Sequence, residues 1–282
     1  MRRVVLPVLL GLAAASPAFP QARPAPRASS KAGIAIGELV WTDGDVMRAE
    51  PPDKTSWRKV ATGDKLRTGD TLRTSEAAVA RIEFPWMKMT LAPASMVSIP
   101  PSAVLSMVLD QGRAEFSGPG RDIVKIQVGE GEVRGGGRLV LRRSVGRTSV
   151  TVLEGAFKVR SAGRIVEIKK GQGTLVGDGR PPEPARALPL PPHGLRPGAD
   201  VAYVRSGQPV ELHWAGGGAS HHVELLAFQG DHDVQHARDI AASSLQLSVP
   251  WLGTYRWRVS VRDARGVESP PSADGLICSV ER

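Results

Sequence analysis

The 282-residue chain has a single cysteine, Cys278, so no disulfide can close within it. In an oxidising compartment a lone thiol is either buried or paired between chains. Its setting, Leu276-Ile277-Cys278-Ser279-Val280, reads as a terminal strand with the thiol inside. Aromatic residues are also few, at 5%, whereas Gly and Pro number 31 and 23, and no stretch keeps a helical period. Turns at short intervals and brief strands follow, which is an all-β class. Long apolar runs are missing too: Val4 to Ala15 spans 12 residues, and crossing a bilayer takes about 20.

That short apolar run follows Met1-Arg2-Arg3 and precedes the small residues of Ser16-Pro17-Ala18-Phe19-Pro20-Gln21-Ala22, the order of a secretory leader. Cleavage after Ala18 or Ala22 fits, with Ala22 preferred, so residues 1–22 are assigned to a signal peptide and the mature chain to the periplasm or the exterior. No Cys lies near the cleavage region to carry a lipid anchor. Residues 23–32 hold Pro, Ala, Ser and Arg and cannot bury enough apolar surface to order themselves, so they read as a disordered tail. A first β domain occupies 33–179. Seven prolines between Gly179 and Gly198 make residues 180–190 a semi-rigid linker that holds two domains apart and lets them unfold separately. The second domain occupies 191–282.

Acidic residues are in deficit, 28 against 37 basic ones, a formal +9 that falls to about +7 once Arg2 and Arg3 leave with the leader. A basic exported protein meets envelope phosphates, lipid head groups or acidic polysaccharide, so an anionic envelope polymer or an envelope protein is the expected partner. Nucleic acid is not expected. The basic residues are scattered, Arg142-Arg143 and Lys169-Lys170 being adjacent pairs, and no aromatic stacking series accompanies them. The sequence does not settle the oligomeric state.

The most organised stretch is a tandem hexad, Gly63-Asp64-Lys65-Leu66-Arg67-Thr68 followed by Gly69-Asp70-Thr71-Leu72-Arg73-Thr74. Each Gly-Asp supplies a turn, with the Asp able to bond to amides two residues on, and each Leu has the alternating neighbours of a half-buried strand. Strands are expected to follow at Ala78 to Phe84, Met87 to Leu91, Met96 to Ile99, Val104 to Leu109, Arg113 to Phe116 and Ile123 to Val128. After a Gly-rich turn at Gly129 to Gly137 come Leu139 to Arg142, Thr148 to Glu154, Ala156 to Arg160, Val166 to Ile168 and Gln172 to Val176. Trp57 is expected to close one end of this core.

The order Gly44, Val46, Trp57, Gly63-Asp64, Leu66, Gly69-Asp70, Leu72-Arg73-Thr74, Ala80, Ile82, Leu91 and Pro93-Ala94-Ser95 resembles the first half of a FecR domain. Leu109-Asp110-Gln111-Gly112, Val133-Arg134-Gly135, Val150 to Gly155, Phe157-Lys158-Val159 and Gly171-Gln172-Gly173 resemble its second half. Two places depart from that pattern. Gly136 stands where the family usually has Thr, and Pro85-Trp86-Met87-Lys88 stands near an expected Asp-Gly-Ser turn. The resemblance implies a domain of many short strands, solenoid-like or sandwiched, that acts in its best-known relatives as the periplasmic sensor of a membrane regulator controlling a sigma factor during iron uptake. This sequence shows neither the cytoplasmic segment nor the spanning helix of such a regulator, so direct transmission does not follow.

In the second domain Pro209 to Trp214, Val223 to Phe228, Leu245 to Val249, Gly253 to Val261 and Leu276 to Val280 read as strands. Trp214 suits a place between two sheets. Tyr255, Trp257 and Val259 share one face, and Arg256, Arg258 and Ser260 the other. Gly253 to Val259 with Asp263, Gly266 and Ser269 resembles a fibronectin type III or immunoglobulin-like sandwich.

Five of the six histidines lie between His213 and His236, with His221-His222 in one place and Asp231-His232-Asp233 and His236 in another. Imidazole with carboxylate is a plausible zinc or copper ligand set. The two groups fall at opposite ends of a strand, so they read as polar loop histidines without a metal. The Gly-Gly-Gly run fits neither phosphate-loop spacing, and no helix follows it. Many acidic residues neighbour Gly, as at Gly44-Asp45 and Gly177-Asp178, which is turn chemistry. No catalytic, cofactor or metal residue is therefore assigned, and no enzymatic activity is expected. The reading is a non-enzymatic exported envelope binding or scaffold protein. The alternative is a soluble periplasmic signalling partner of a separate membrane regulator of sigma/anti-sigma type. N-terminal sequencing of protein from the envelope fraction should begin at Arg23; an intact Met1 recovered in membranes would overturn the leader assignment.

Overall fold

The computed structural model describes residues 33–51, 55–101, 106–119, 124–227, 234–249 and 252–281, and every regular element among them is a strand. The signal peptide and tail assignments, 1–22 and 23–32, lie outside the described residues. The protein is all-β. Its first strands are β1 (Ala35–Asp43), β2 (Val46–Ala49), β3 (Trp57–Lys59), β4 (Lys65–Arg67), β5 (Thr71–Thr74), β6 (Val79–Phe84), β7 (Met87–Leu91) and β8 (Met96–Ser98). Then follow β9 (Ser106–Gly118), β10 (Val124–Val128), β11 (Gly131–Ser144), β12 (Arg147–Ser161), β13 (Arg164–Lys169), β14 (Gln172–Gly177) and β15 (Arg186–Ala187).

Hydrogen-bond register sorts these into two layers that share three long strands. One layer runs β15-β14-β12-β11-β9-β7-β6-β1-β4 and the other β3-β2-β5-β8-β9-β10-β11-β12-β13. β9 pairs with β8 and β10 through its first half and with β7 through its second. β12 pairs with β14 early and β13 late. The tandem hexads feed opposite layers: β4 joins β1, β5 joins β2 and β8, and Leu66 and Leu72 meet fully buried in one core. Their aspartates work differently from the sequence expectation. Asp64 and Asp70 accept hydrogen bonds from amides three residues earlier, Ala61 N–H at 3.0 Å and Arg67 N–H at 2.8 Å, closing each turn backwards.

The long strands cross between layers at glycines. The Gly-rich segment read as a turn lies mostly inside β11, and at Gly137 (φ +122°) a Cβ would fall 2.3 Å from the Glu154 carbonyl oxygen. β9 turns its corner at Gly112 (φ +84°), where a Cβ would lie 2.2 Å from Ser95 Oγ. Ser95 Oγ accepts the Arg113 N–H at 2.8 Å, and Ser95 N–H donates to Thr74 Oγ1 at 3.0 Å, so Thr74, Ser95 and Gly112 of the family-like motifs form one structural lock. Trp57 does not close the core. It is half-buried under the Arg73 guanidinium, 4.1 Å from the ring centroid.

The proline-rich segment is not a spacer. Leu188 N–H donates to the Gly171 carbonyl, Glu183 N–H to the Leu175 carbonyl, and β15 pairs with β14, so the chain retraces the edge of the first module. The second module comprises β16 (His193–Arg196), β17 (Ala202–Arg205), β18 (Pro209–Ala215), β19 (Ser220–Ala227), β20 (Val234–Ile240), β21 (Ser244–Ser248), β22 (Gly253–Arg262) and β23 (Gly275–Val280). A sheet β16-β18-β21 faces a sheet β17-β23-β22-β19-β20 across a core holding Leu212, Trp214, Val223, Leu225, Trp257, Val259 and Ile277. Trp214 sits between the sheets, tilted against Trp257 at 6.2 Å. Cys278 is half-buried rather than inside, because Ile277 takes the core-facing position beside it.

The other face of the five-stranded sheet lies on the outer face of the first module. Val79 of β6 packs with Leu226, Val234 and Ala237, and Trp41 Nε1 donates to the Gln235 carbonyl at 3.3 Å. Replacing Gly112 with Ala should destabilise the protein by at least about 2 kcal/mol, since strain at positive φ adds to a clash with Ser95. Denaturant unfolding of the two forms measures it, and equal midpoints would refute the lock.

Candidate functional site

Strand alternation sends Ala114 and Phe116 of β9 into the first core and leaves Arg113 and Glu115 on the outer face. β11 does the same with Leu139 and Leu141 against Arg138 and Arg142. From the second module β19 presents His222 and Glu224 and β22 presents Arg258 and Ser260, so the charged faces of two sheets meet with little water between them. Burying charges is costly unless each is paired, and here each finds partners.

Arg113, 3% exposed, is the hub. Its Nε and Nη2 reach Glu268 at 2.9 to 3.1 Å, its Nη1 reaches Glu224 at 3.3 Å, and Glu115 lies 3.6 Å away. Arg258 Nε donates to Glu224 at 2.7 Å, Arg138 Nε to Glu115 at 2.7 Å, and Ser260 Oγ to Glu268 at 2.8 Å. At the margin Arg142 donates to both oxygens of Asp239 at 2.7 and 3.1 Å. His222 completes the set, with Nδ1 at 2.6 Å from Asp239 and Nε2 at 3.2 Å from Glu224. A carboxylate at each ring nitrogen suits the imidazolium, which donates from both.

The proton affinities follow from this geometry. Burial and Arg113 pull the His222 pKa down, but Asp239 and the hydrogen bonds to Asp239 and Glu224 outweigh them and leave it raised. Burial alone would raise Glu268; Arg113, then Arg142 and His222, hold its carboxyl down to about 2. Glu224 is held well below its ordinary value because Arg258 and Arg113 overcome its burial, and Asp239 is lowered by His222 and Arg142 against its own. A network this enclosed offers no reacting position to a substrate. Its chemistry is that of a joint.

The histidines do not gather. His221 and His222 lie on opposite faces of β19, the first edge-on to Trp214 at 5.3 Å. His236, expected in a loop, belongs to β20 and bonds Asp43 at 2.7 Å, while exposed His213 sits 3.2 Å from Glu211. Asp231, His232 and Asp233 lie outside the described residues. Among the described residues no three His, Cys, Asp or Glu converge as a metal site.

An open site lies elsewhere, at the β6–β7 hairpin. A cleft of about 790 Å³ is lined by Ile36, Phe84, Pro85, Trp86, Met87 and Pro119, with Glu38, Lys65, Glu83 and Lys88 on its rim. Phe84 and Trp86 stack with centroids 5.8 Å apart, and Trp86 is only half-buried. Gly37 makes room for this platform, since a Cβ there would lie 2.6 Å from Phe84 Cδ1. The rim charges are mutually paired, Lys88 with Glu83 at 2.8 Å and Lys65 with Glu38. A small hollow lined by Gly135, Gly136, Gly137 and Phe157 adjoins it through Met87, Ser117, Gly118 and Pro119. Pro85 to Lys88 and Gly136 therefore fall at one place.

No protein-family model and no curated protein matches the sequence. Among solved structures the chain is similar to a candidate anti-sigma factor from Parabacteroides distasonis ATCC 8503, at 10% identity and TM-score 0.36, over 42% of this chain and 59% of that one. A second structure of the same description gives 11% identity, TM-score 0.36 and the same coverage. The chain thus spans 59% of the length of those structures.

Replacing Glu268 with Gln should cost about 3 kcal/mol, because Arg113 stays buried with its main counter-charge gone. Lowered carboxylate pKa values contribute stability that is complete above about pH 4.5 and is lost as pH falls through the folded values, that of Glu268 being about 2. Raised His222 acts oppositely, contributing fully below about pH 6.5 and less as pH rises through its folded value. Denaturant midpoints against pH should peak between those limits, and a flat profile would remove the network from the stability account.

Proposed function

We propose that the protein is a non-enzymatic, exported binding or scaffold protein of the cell envelope, whose first module recognises its partner through the Phe84–Trp86 cleft. The observation that carries this reading is the cleft: an aromatic platform with one ring half-open to solvent, a rim of already paired charges and no convergent acid, base or nucleophile. Such a surface binds by contact area and orientation. The second module, read as an immunoglobulin-like sandwich, supports the first as a rigid backing through the buried seam. An anionic envelope polymer or an envelope protein is the partner that an exported chain of formal charge about +7 would meet. A soluble signalling partner of a membrane regulator would use the same cleft on a protein, and the mixed-sign rim fits that reading too.

Trp86→Ala tests the proposal. Truncating an aromatic anchor typically costs 2 kcal/mol or more, so retention on the true partner should fall roughly thirtyfold, measured below the unfolding midpoint of the variant, which loses the packing of Trp86 on Phe84 and the core. Pull-downs of both forms against peptidoglycan, lipopolysaccharide and solubilised envelope proteins identify which class responds. Equal retention of wild type and variant by every envelope fraction would overturn the cleft as the recognition site.

A further inference from the structure

The seam between the modules opens at one end into a further pocket, of about 250 Å³, to which both contribute. Arg142, Ser144 and Arg147 come from the β11–β12 hairpin, and Arg262, Asp263 and Arg265 from the end of β22 and the turn after it. Four guanidinium groups at one small opening are too many for the acids beside them. Arg142 is held by Asp239, and its Nε is buried without a hydrogen bond, 3.7 Å from Glu268. Arg147 and Arg265 share the one carboxylate of Glu183, Arg147 at 3.7 Å. Asp263 is engaged in its own turn, where Oδ1 accepts the amides of Arg265 at 3.0 Å and Val267 at 2.8 Å. Arg262 has no ion-pair or hydrogen-bond partner for its side chain among the described residues.

Asp239 is shared between Arg142 and His222, and Glu268 is committed inward to Arg113. Glu183 and Asp263 are thus the acids left to answer Arg147, Arg262 and Arg265 at the opening, an excess of one positive charge. Guanidinium forks arriving from both modules, with the Ser144 hydroxyl beside them, can be engaged together by the several oxygens of a tetrahedral dianion, where a carboxylate offers two. We propose that this pocket binds a phosphate group, as inorganic phosphate or as a phosphomonoester on an envelope lipid or polymer. Its ligand bridges the two modules and adds to their joint from outside. The biological occupant rests on the envelope reading above, whereas the phosphate chemistry does not.

The full mature chain should bind inorganic phosphate in low-salt calorimetry, and its melting temperature should rise with phosphate concentration. Arg262→Gln should weaken that binding about tenfold or more without lowering the melting temperature of the phosphate-free protein. Arg164→Gln, on exposed β13, changes net charge equally and should have no effect. Absence of phosphate binding by the wild type, or equal weakening by both substitutions, overturns the site. Retention on native against dephosphorylated lipopolysaccharide separates the sources: loss on dephosphorylation that Arg262→Gln reproduces points to the lipid phosphate, and unchanged retention beside intact phosphate binding points to the free ion. Trp86→Ala should leave phosphate binding intact, so failure of the cleft and failure of this pocket read out separately.

Discussion

An arginine that is 3% exposed keeps its charge only if carboxylates replace the water it has lost, and Arg113 takes all of its carboxylates but one from the second module. That dependence orders much of the architecture. Arg113 itself stands where it does because Gly112 turns β9 from one layer into the other, and Glu268 stands where it does because the turn after β22 folds onto β12, with Thr151 Oγ1 donating to its carbonyl at 3.2 Å. The seam is thus a chain of local necessities in which each charge is tolerable because of its neighbour. Buried ion pairs add little over an apolar filling, but a half-broken pair is severely penalised. The network therefore acts less as glue than as a registration device, admitting one docking of the sheets and penalising others.

Much of the fold was legible because strands report one buried face by alternation. β6, β7, β8, β10, β13 and β14 lie close to their expected places, and the Tyr255, Trp257, Val259 face of β22 entered the core as read. What alternation cannot report is what covers the second face. Arg258 and Ser260 fall on the face opposite Tyr255, Trp257 and Val259, with nothing in the sequence to say that it is covered, and they are buried, as are Arg113 and Glu115. A faint signal was present: opposite charges alternate with apolar residues on one strand, as in Arg113-Ala114-Glu115-Phe116. Without a partner sheet in view that pattern is indistinguishable from an exposed salt bridge.

Glycine and proline misled for a related reason. Both usually mark chain reversals, yet Gly137 lies within a strand that changes layers, and the prolines of residues 180–190 leave enough amides for the segment to pair with β14. The histidines misled through burial, since His222 is enclosed with two carboxylates and a ring beside polar residues in sequence gives no hint of that. The aromatic cleft was not read from the sequence, because only the pairing of β6, β7, β9 and β11 brings Pro85 to Lys88 and Gly136 together.

The strands β9, β11 and β12, each belonging to both layers, have a mechanical consequence. In a sandwich of separate sheets, a load can peel one sheet away while the other stays whole, with hydrogen bonds failing in sequence from an edge. Here the layers are sewn together along three continuous backbones, so prying them apart requires the shared strands to unbend and the ladders on both sides to yield together. A protein built this way meets a load that separates its layers with many hydrogen bonds at once, so opening one edge does not release the rest.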